Sequence, residues 1–423
     1  MTGFDYQRLR RYPDVEAPNL QAWDATDELL VQRALDADLP GDQIAVIGDE
    51  YGAISLALTD AGLAAIRVHQ DLITGRRALG HNARSLELSQ PAMHELDSSL
   101  LTGARLVLLK LPRGLAELGE VADAVGRWAA PEVTLIAGGR VKHMTTAQNG
   151  VLAESFAQVQ PQRAERKSRL IVASEPRIAA EQLPFPVSQQ HDGFTLCAYG
   201  AAFAGPRLDI GTRVLLDALP TLVPPALVPP GSAPPADPAP RTVSAPGGSE
   251  LRRSGGPDHE NPPIELIPID FSGALDSAPL RVIDLGCGTG ALAVAFALQH
   301  PDAAVIATDR SAAAVRSAEA SVVANGLASR ITVTLDDAGS ELPDGEADLV
   351  LLNPPFHLGA TVHEGAGRRL IEAAGRLVRP GGEVWTVFNS HLDHRRALSR
   401  HVGPTEQIAR TPKFTVTRSV RRG

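Results

Sequence analysis

The sequence predicts an α/β protein with two tandem Rossmann-like domains, each a doubly wound parallel sheet, the first of them degenerate. Three observations support this prediction. Residues 271–423 alternate short apolar strands with helices, which is typical of a parallel sheet covered on both faces. Residues 1–200 repeat that alternation with altered motifs. Between them, residues 220–270 are rich in Pro and Gly, a composition that buries too little apolar surface to fold and predicts a disordered insertion.

The elements of the C-terminal part follow one another in a regular order. An opening helix is expected within 201–219, ahead of the insertion. Strands are predicted at 281–285, 304–308, 331–335, 347–352 and 383–388, and helices at 291–300, at 312–325 and up to about 378. The last helix stops at Pro380-Gly381-Gly382, because proline cannot continue a helix and glycine is favoured just beyond its end. Residues 413–418 alternate as an edge or hairpin strand would.

A glycine-rich turn follows the first of these strands. It contains Gly286, Gly288 and Gly290, directly after Asp284. Glycines let the backbone turn sharply and come close to a ligand at the N-terminus of the next helix. The G-x-G-x-x-G spacing of dinucleotide-binding folds is absent here. Asp284 is placed to hold an ammonium group, directly or through water.

Further acids end the next two strands. Asp309 can accept both hydroxyls of a ribose, and the alternative interpretation is an N-cap for the following helix. Asp336 and Asp337 stand where an adenine amine would lie, the alternative being an ordinary polar loop. Ammonium, ribose and adenine are parts of S-adenosylmethionine. The predicted cofactor-binding residues are Asp284, Leu285, Gly286, Cys287, Gly288, Gly290, Asp309, Arg310, Asp336 and Asp337.

The tetrapeptide Asn353-Pro354-Pro355-Phe356 follows the fourth predicted strand. An exocyclic purine amine is a poor nucleophile, because its lone pair is delocalised into the ring. The Asn353 side-chain oxygen and the Pro354 carbonyl can accept both of its hydrogens, and the prolines stiffen the loop. Phe356 offers a face on which the base can stack. With the glycine turn upstream, these four catalytic candidates predict methyl transfer from S-adenosylmethionine to a conjugated nitrogen.

The N-terminal part carries both motifs in altered form. Gly48-Asp-Glu-Tyr-Gly52 follows an apolar strand, with Glu50 where the other turn has Gly288. Lys110 stands where the C-terminal part has Asn353, at a similar distance from the turn. A glutamate side chain would block close approach of the cofactor, and lysine cannot accept amine hydrogens. We interpret this part as a duplicated domain that kept its fold and lost its catalysis.

Basic residues indicate another role for the first domain. The chain as a whole is acidic, with a formal net charge of −9. Arginine and lysine nevertheless cluster after one of its predicted strands and before another. Such clusters suit a phosphate backbone, the alternative being a solvated charged face. The candidate RNA-binding residues are Arg140, Lys142, Arg163, Arg166, Lys167 and Arg169.

Other features bear on location and partners. One of the two cysteines, Cys287, lies inside the glycine turn, which argues against a structural disulfide and favours a reducing cytoplasm. The sequence has no apolar run of membrane-spanning length, no export signal at its start and no His/Cys spacing typical of a metal site. We therefore expect a cytoplasmic protein without membrane or metal partners, with a monomer favoured.

With these residues in place, the chain resembles the bacterial ribosomal RNA guanine-N2 methyltransferases that carry two tandem methyltransferase-like domains. The enzyme of the large subunit, which acts on 23S RNA, is the better match. The resemblance is carried by Asn19–Glu28, Gly205–Arg213, Asp284–Gly290, Asn353–His357, Ser390–Asp393 and Lys413–Phe414. It covers nearly the whole chain except the insertion, where the family has only a short connection.

The resemblance implies a class I methyltransferase fold with S-adenosylmethionine as cofactor and ribosomal RNA, 23S favoured, as partner. It implies that residues 1–200 bind RNA. It also implies that residues 271–423, with the opening helix at 201–219, transfer a methyl group to the exocyclic N2 of a guanine. Three alternatives stay open: a 16S guanine-N2 methyltransferase, a protein glutamine or DNA adenine N-methyltransferase, and a non-catalytic ribosome-assembly factor. The degenerate N-terminal domain argues against a protein glutamine or DNA adenine methyltransferase. The intact Asp284 and Asn353 argue against a non-catalytic ribosome-assembly factor.

Overall fold

The structure is a computed structural model that describes residues 3–219, 279–354 and 362–423. Two sets of predictions lie outside these residues. One is the disordered insertion at 220–270. The other is the pair of catalytic candidates Pro355 and Phe356, together with the neighbouring His357.

The first sheet contains, within the described residues, seven strands in the order β3-β2-β1-β4-β5-β7-β6. The strands are β1 (Ile44–Ile47), β2 (Arg67–His69), β3 (Ala92–Met93), β4 (Leu106–Lys110), β5 (Thr134–Arg140), β6 (Phe156–Pro161) and β7 (Ser168–Pro176). The accompanying helices are α1 (Ala25–Asp36), α2 (Ser55–Asp60), α3 (Ile73–Ser85), α4 (Ser98–Leu101), α5 (Leu115–Trp128) and α6 (Ala147–Ser155). Strands β1 to β5 are parallel, and β7 is antiparallel to both of its neighbours.

Helices cover both faces of this sheet, which explains its continuous apolar strands. In β1, Ile44 and Val46 lie in one hydrophobic cluster, whereas Ala45 and Ile47 lie in another. All four residues are buried, because successive side chains of a strand point to opposite faces.

A β-hairpin, β8 (Val187–His191) and β9 (Phe194–Ala198), and the helix α7 (Ile210–Ala218) connect the two halves. The hairpin packs on the second half, although its sequence lies within the predicted unit 1–200. The backbone N–H of Thr195 donates to the side-chain oxygen of Asn325 (2.9 Å), and the N–H of Cys197 donates to the hydroxyl of Ser321 (2.9 Å). Leu196 belongs to the hydrophobic cluster of the second half.

The second sheet has the order β12-β11-β10-β13-β14-β16-β15 over the described part of the chain. Its strands are β10 (Arg281–Leu285), β11 (Ala304–Asp309), β12 (Ile331–Leu335), β13 (Ala347–Leu352), β14 (Val378–Asn389), β15 (Thr405–Arg410) and β16 (Phe414–Val420). Its helices are α8 (Ala291–Gln299), α9 (Ala312–Ala324), α10 (Val362–Leu377) and α11 (His394–His401). Strand order and directions repeat those of the first sheet, which confirms two doubly wound sheets from a duplicated unit.

Two predicted strands differ from the structure. The strand predicted at 383–388 begins earlier, at Val378, because Pro380-Gly381-Gly382 forms an irregularity within β14 rather than a stop before it. The strand predicted at 413–418 is β16, which pairs with both β14 and β15. The hairpin prediction is confirmed, but the edge position is wrong: the edge strand is β15, whose mostly exposed polar residues give little apolar alternation.

The two halves meet through equivalent loops, those that follow β2 and β11. The N–H of Ile73 donates to the carbonyl of Arg310 (2.9 Å), and the N–H of Ala312 donates to the carbonyl of Asp71 (3.0 Å). The Asp71 carboxylate also accepts from the N–H of Ala313 (2.8 Å). These reciprocal bonds turn the carboxyl edges of both sheets toward one cleft of about 1390 Å³.

Candidate active site

The glycine turn forms the floor of the cleft on the side of the second half. Gly286, Gly288 and Gly290 have positive φ angles of 79°, 54° and 78°, a region that favours glycine. A Cβ atom at Gly290 would lie 3.1 Å from the Cβ of Ala318, so a side chain here would press on α9. A Cβ at Gly288 would meet nothing within 4 Å. Gly288 therefore leaves open space for a ligand beside the N-terminus of α8.

Asp284 lies buried at the end of β10, beneath this turn. Its Oδ2 accepts a hydrogen bond from the N–H of Ala293 (3.0 Å). Burial, together with the nearby charge of Asp309, raises the pKa of Asp284 to about 7. No ion-pair partner contacts this carboxyl among the residues described. A bound ammonium group would supply the missing positive charge.

Asp309, at the end of β11, ties the glycine turn to the next loop. Its Oδ2 accepts from the N–H of Gly288 (3.0 Å), and its Oδ1 accepts from the N–H of Ser311 (2.9 Å). The alternative interpretation of Asp309 as an N-cap is wrong, because Ser311 caps α9 by accepting from the N–H of Ala314 (3.1 Å). Each carboxylate oxygen keeps a free lone pair, so two hydroxyl donors can still be accepted.

The acids after β12 are engaged differently from each other. Asp336 accepts from the hydroxyl of Ser340 (2.5 Å) and the N–H of Glu341 (2.8 Å), and it pairs with Arg77 of the first half (3.1 Å). Asp337 pairs with Arg369 of α10. Asp336 thus has an evident structural role in joining the two halves, which leaves Asp337 as the better candidate for contact with an adenine amine.

The structure brings the predicted cofactor residues together at one end of the cleft. The lining includes Asp284, Leu285, Gly286, Cys287, Gly288, Asp309, Arg310, Asp336 and Asp337. Gly290 lies behind them, where it packs on α9. Asn353 and Pro354 line the same cleft. The loops that follow β10, β11, β12 and β13 therefore all contribute residues to this cleft.

Asn353 lines the cleft, and the start of α7 holds one end of its side-chain amide. Its Nδ2 donates to the Thr212 hydroxyl (2.9 Å) and to the Asp209 carboxylate (3.2 Å), both at the start of α7. Its Oδ1 is buried and has no hydrogen-bond partner among residues 3–219, 279–354 and 362–423. A buried amide oxygen without a partner costs free energy unless a donor reaches it. The sequence identified Asn353 but assigned no role to Asp209 and Thr212, whose signals were the helix start and their place in the Gly205–Arg213 segment of the resemblance.

The equivalent position in the first half is occupied by an ion pair. Lys110 ends β4 and contacts Asp27 and Asp24 at the start of α1. Burial by itself would lower the pKa of Lys110, but the charges of these two carboxylates raise it. Glu50 occupies the turn position that corresponds to Gly288. This half therefore lacks both the amide acceptor and the bare turn that the second half has.

Only part of the predicted RNA-binding set lines the cleft. Arg140 and Lys142 do, together with Arg113 and His143. Slight burial and the positive charges of Lys142, Arg113 and Arg140 lower the pKa of His143, in keeping with a basic surface. The remaining candidates, Arg163, Arg166, Lys167 and Arg169, lie on the β6–β7 hairpin away from the cleft lining, and Arg166 pairs with Glu28 (2.6 Å).

In the described part of the chain, no helix is long and apolar enough to cross a membrane, and no group of His, Cys, Asp or Glu residues has the arrangement of a metal site.

Two family models match the chain. The model described as "RLMG N-terminal domain" covers residues 2–177, and the "Methyltransferase small domain" covers 273–418. Proteins named ribosomal RNA large subunit methyltransferase G align over almost their full length. The protein from Ectopseudomonas mendocina is 30% identical over 99% of this chain and 98% of its own, and that from Streptomyces griseus is 29% identical over 98% and 97%.

A solved structure shares the fold over the whole chain. It is the Thermus thermophilus 16S rRNA N2 G1207 methyltransferase (RsmC) in complex with AdoMet and guanosine. The two structures align with a TM-score of 0.67 and 18% identity, over 99% of each chain. The full-length match at 30% identity carries the family assignment: this chain belongs to the ribosomal RNA large subunit methyltransferase G family.

Proposed function

We propose that this protein transfers a methyl group from S-adenosylmethionine to the exocyclic N2 of a guanine in 23S ribosomal RNA. The observation that carries this proposal is the unpartnered Oδ1 of Asn353, a residue that lines the same cleft as the glycine turn. The names of the relatives support large-subunit ribosomal RNA as the substrate. An enzyme with this substrate is expected to act in the cytoplasm.

The residues at the floor of the cleft fit S-adenosylmethionine. The buried carboxyl of Asp284, which lacks a countercharge, suits the ammonium of the methionine part, and the lone pairs of Asp309 suit the ribose hydroxyls. Asp337 is the candidate for the adenine amine. Open space at Gly288 allows the ligand to approach the backbone closely. When bound, this cofactor supplies an electrophilic methyl group.

The catalytic loop acts by positioning the acceptor nitrogen. Asn353 Oδ1 accepts one hydrogen of the guanine amine, and the Pro354 carbonyl accepts the other. This pair of bonds favours a pyramidal nitrogen and directs its lone pair toward the methyl group. An amide is not a base, and none is required, since the nitrogen becomes acidic once it carries the additional methyl group. Phe356 is proposed to stack on the base, as its place in the motif implies.

The first half is proposed to hold the RNA. Arg113, Arg140 and Lys142 line the same cleft as the cofactor site but belong to the first half, so they supply positive charge to an RNA backbone that enters the cleft. The domain division follows: residues 1–200 grip RNA, and 271–423 together with α7 carry out the transfer. The target guanine leaves its stack to reach Asn353.

The test is transfer of radiolabelled methyl groups to four substrates side by side. These are protein-free 23S RNA, protein-free 16S RNA and the two assembled subunits, from cells that lack the enzyme. Label confined to 23S RNA and recovered as N2-methylguanosine supports the proposal. Label in 16S RNA would support the same methyl transfer but identify 16S RNA as the substrate. Cofactor binding without any label would leave the protein, DNA and assembly-factor alternatives.

Two variants accompany this assay. Asn353→Ala removes the acceptor and is expected to abolish transfer while cofactor affinity stays within a few-fold. Asn149→Ala makes the same change on α6, away from the cleft lining, and is expected to retain full transfer. Loss of cofactor binding in Asn353→Ala would contradict the role assigned to Asn353.

A further inference from the structure

The orientation of the Asn353 amide determines whether this residue can act on an amine. An asparagine amide has an accepting oxygen and a donating NH2 group of nearly the same shape. With the oxygen toward the cleft, Asn353 accepts a hydrogen from the substrate. With the NH2 group toward the cleft, two donors would face each other, and the amine would not be held.

The start of α7 fixes this orientation. Asp209 is the N-cap of α7, and its Oδ2 accepts both from the N–H of Thr212 (3.2 Å) and from Asn353 Nδ2 (3.2 Å). The hydroxyl of Thr212 accepts the second hydrogen of the same NH2 group (2.9 Å). An ionised carboxylate can only accept, so only the NH2 end of the amide can lie beside Asp209. The oxygen is therefore the other end of the amide, which has no partner among the described residues.

Gly211, between these two residues, keeps space around the amide. A Cβ atom at this position would lie 3.0 Å from Asp209 Oδ2 and 3.4 Å from Asn353 Oδ1. It would also lie 3.2 Å from the ring of Phe414. A side chain here would press on the carboxylate and on the Phe414 ring, and it would contact the amide oxygen. Three of the four residues from Asp209 to Thr212 thus serve the placement of Asn353.

The first half contains the same arrangement with different chemistry. Asp24 is the N-cap of α1, and Asp27 is the third residue of that helix, as Thr212 is of α7. These two carboxylates contact Lys110, the counterpart of Asn353. In both halves, the first helix holds the side chain at the end of the fourth strand. It does so through its N-cap residue and its third residue. Two acids hold a cation in one half, and an acid with a hydroxyl holds a neutral amide in the other.

We propose that Asp209 and Thr212 are positioning residues for methyl transfer, which act by holding the Asn353 oxygen toward the acceptor amine. This inference rests on the proposed function. It makes α7 part of the catalytic centre, although residues 220–278 separate α7 from the rest of the second half in the sequence.

Three substitutions test this role while preserving the helix start. Thr212→Val removes the accepting hydroxyl at nearly unchanged volume, and Thr212→Ser restores it. Asp209→Ser keeps an N-cap but is too short to reach Asn353. Thr212→Val and Asp209→Ser are each expected to lower the single-turnover rate by roughly 10- to 100-fold with cofactor affinity unchanged, whereas Thr212→Ser stays near wild type. Asp97→Ser, the same change at the N-cap of α4 and outside the cleft lining, is expected to leave the rate unchanged.

A double-mutant cycle separates positioning from a general structural effect. If Thr212 acts through Asn353, Thr212→Val has no further effect on any residual rate in an Asn353→Ala background. Additive losses in this cycle, or wild-type rates for both Thr212→Val and Asp209→Ser, would overturn the inference. Full activity of Asn353→Ala would instead refute the proposed function, so the two failures are distinguishable.

Discussion

Replacing Asp284 with asparagine is expected to stabilise the cofactor-free protein and to abolish binding of S-adenosylmethionine. Asparagine is uncharged and nearly the same size, and its side-chain oxygen can still accept from the N–H of Ala293. It removes the buried carboxyl and with it the countercharge for the ammonium group. Stability and binding should therefore change in opposite directions.

The size of the stability change follows from the pKa of this carboxyl, which burial raises from 3.8 to about 7. Below pH 3.8 Asp284 is protonated in both the folded and the unfolded chain. As the pH rises toward 7, the unfolded chain releases this proton while the folded protein keeps it, so stability falls by about 1.4 kcal/mol per pH unit. Above about 7 both states are ionised, and the loss stops growing. The advantage of Asp284→Asn over wild type should widen by about 2–3 kcal/mol between pH 5 and pH 8.

The assay is urea unfolding of the cofactor-free protein at both pH values, with calorimetric titration of S-adenosylmethionine at pH 8. Asp217→Asn is a suitable control, because it makes the same change at an exposed position of α7 and should show no such widening. A stability gap that stays constant from pH 5 to pH 8 would refute the pKa argument. Wild-type affinity in Asp284→Asn would refute the ammonium assignment.

Three further predictions concern the turn, the buried ion pair and the basic surface. Gly288→Glu reproduces the turn of the first half and should abolish cofactor binding in calorimetry, because a side chain enters the open space at a positive φ. Lys110→Met leaves the buried carboxylate of Asp27 uncompensated and should cost about 3–5 kcal/mol in unfolding experiments. Arg140→Glu with Lys142→Glu should weaken RNA binding and flatten its salt dependence, whereas an unchanged slope would exclude these residues.

Local patterns in the sequence were sufficient for the sheet architecture and for both motifs. Strands buried on both faces are mostly apolar, so β10, β11 and β13 were recognisable from their apolar runs. The glycine turn was recognisable because positive φ angles favour glycine. Strand β15 was missed, since a mostly exposed edge strand of polar residues carries no such pattern.

The sequence by itself determined the two sheets, the glycine turn and the identity of Asn353, because each of these depends on residues close together in the chain. Tertiary structure alone decided which groups meet. Asn353 is held by Thr212, 141 positions away, and Asp336 pairs with Arg77, 259 positions away. Contacts over such separations depend on how helices and sheets pack, so no local pattern encodes them. The direction of the Asn353 oxygen, on which the proposed chemistry depends, is one of these contacts.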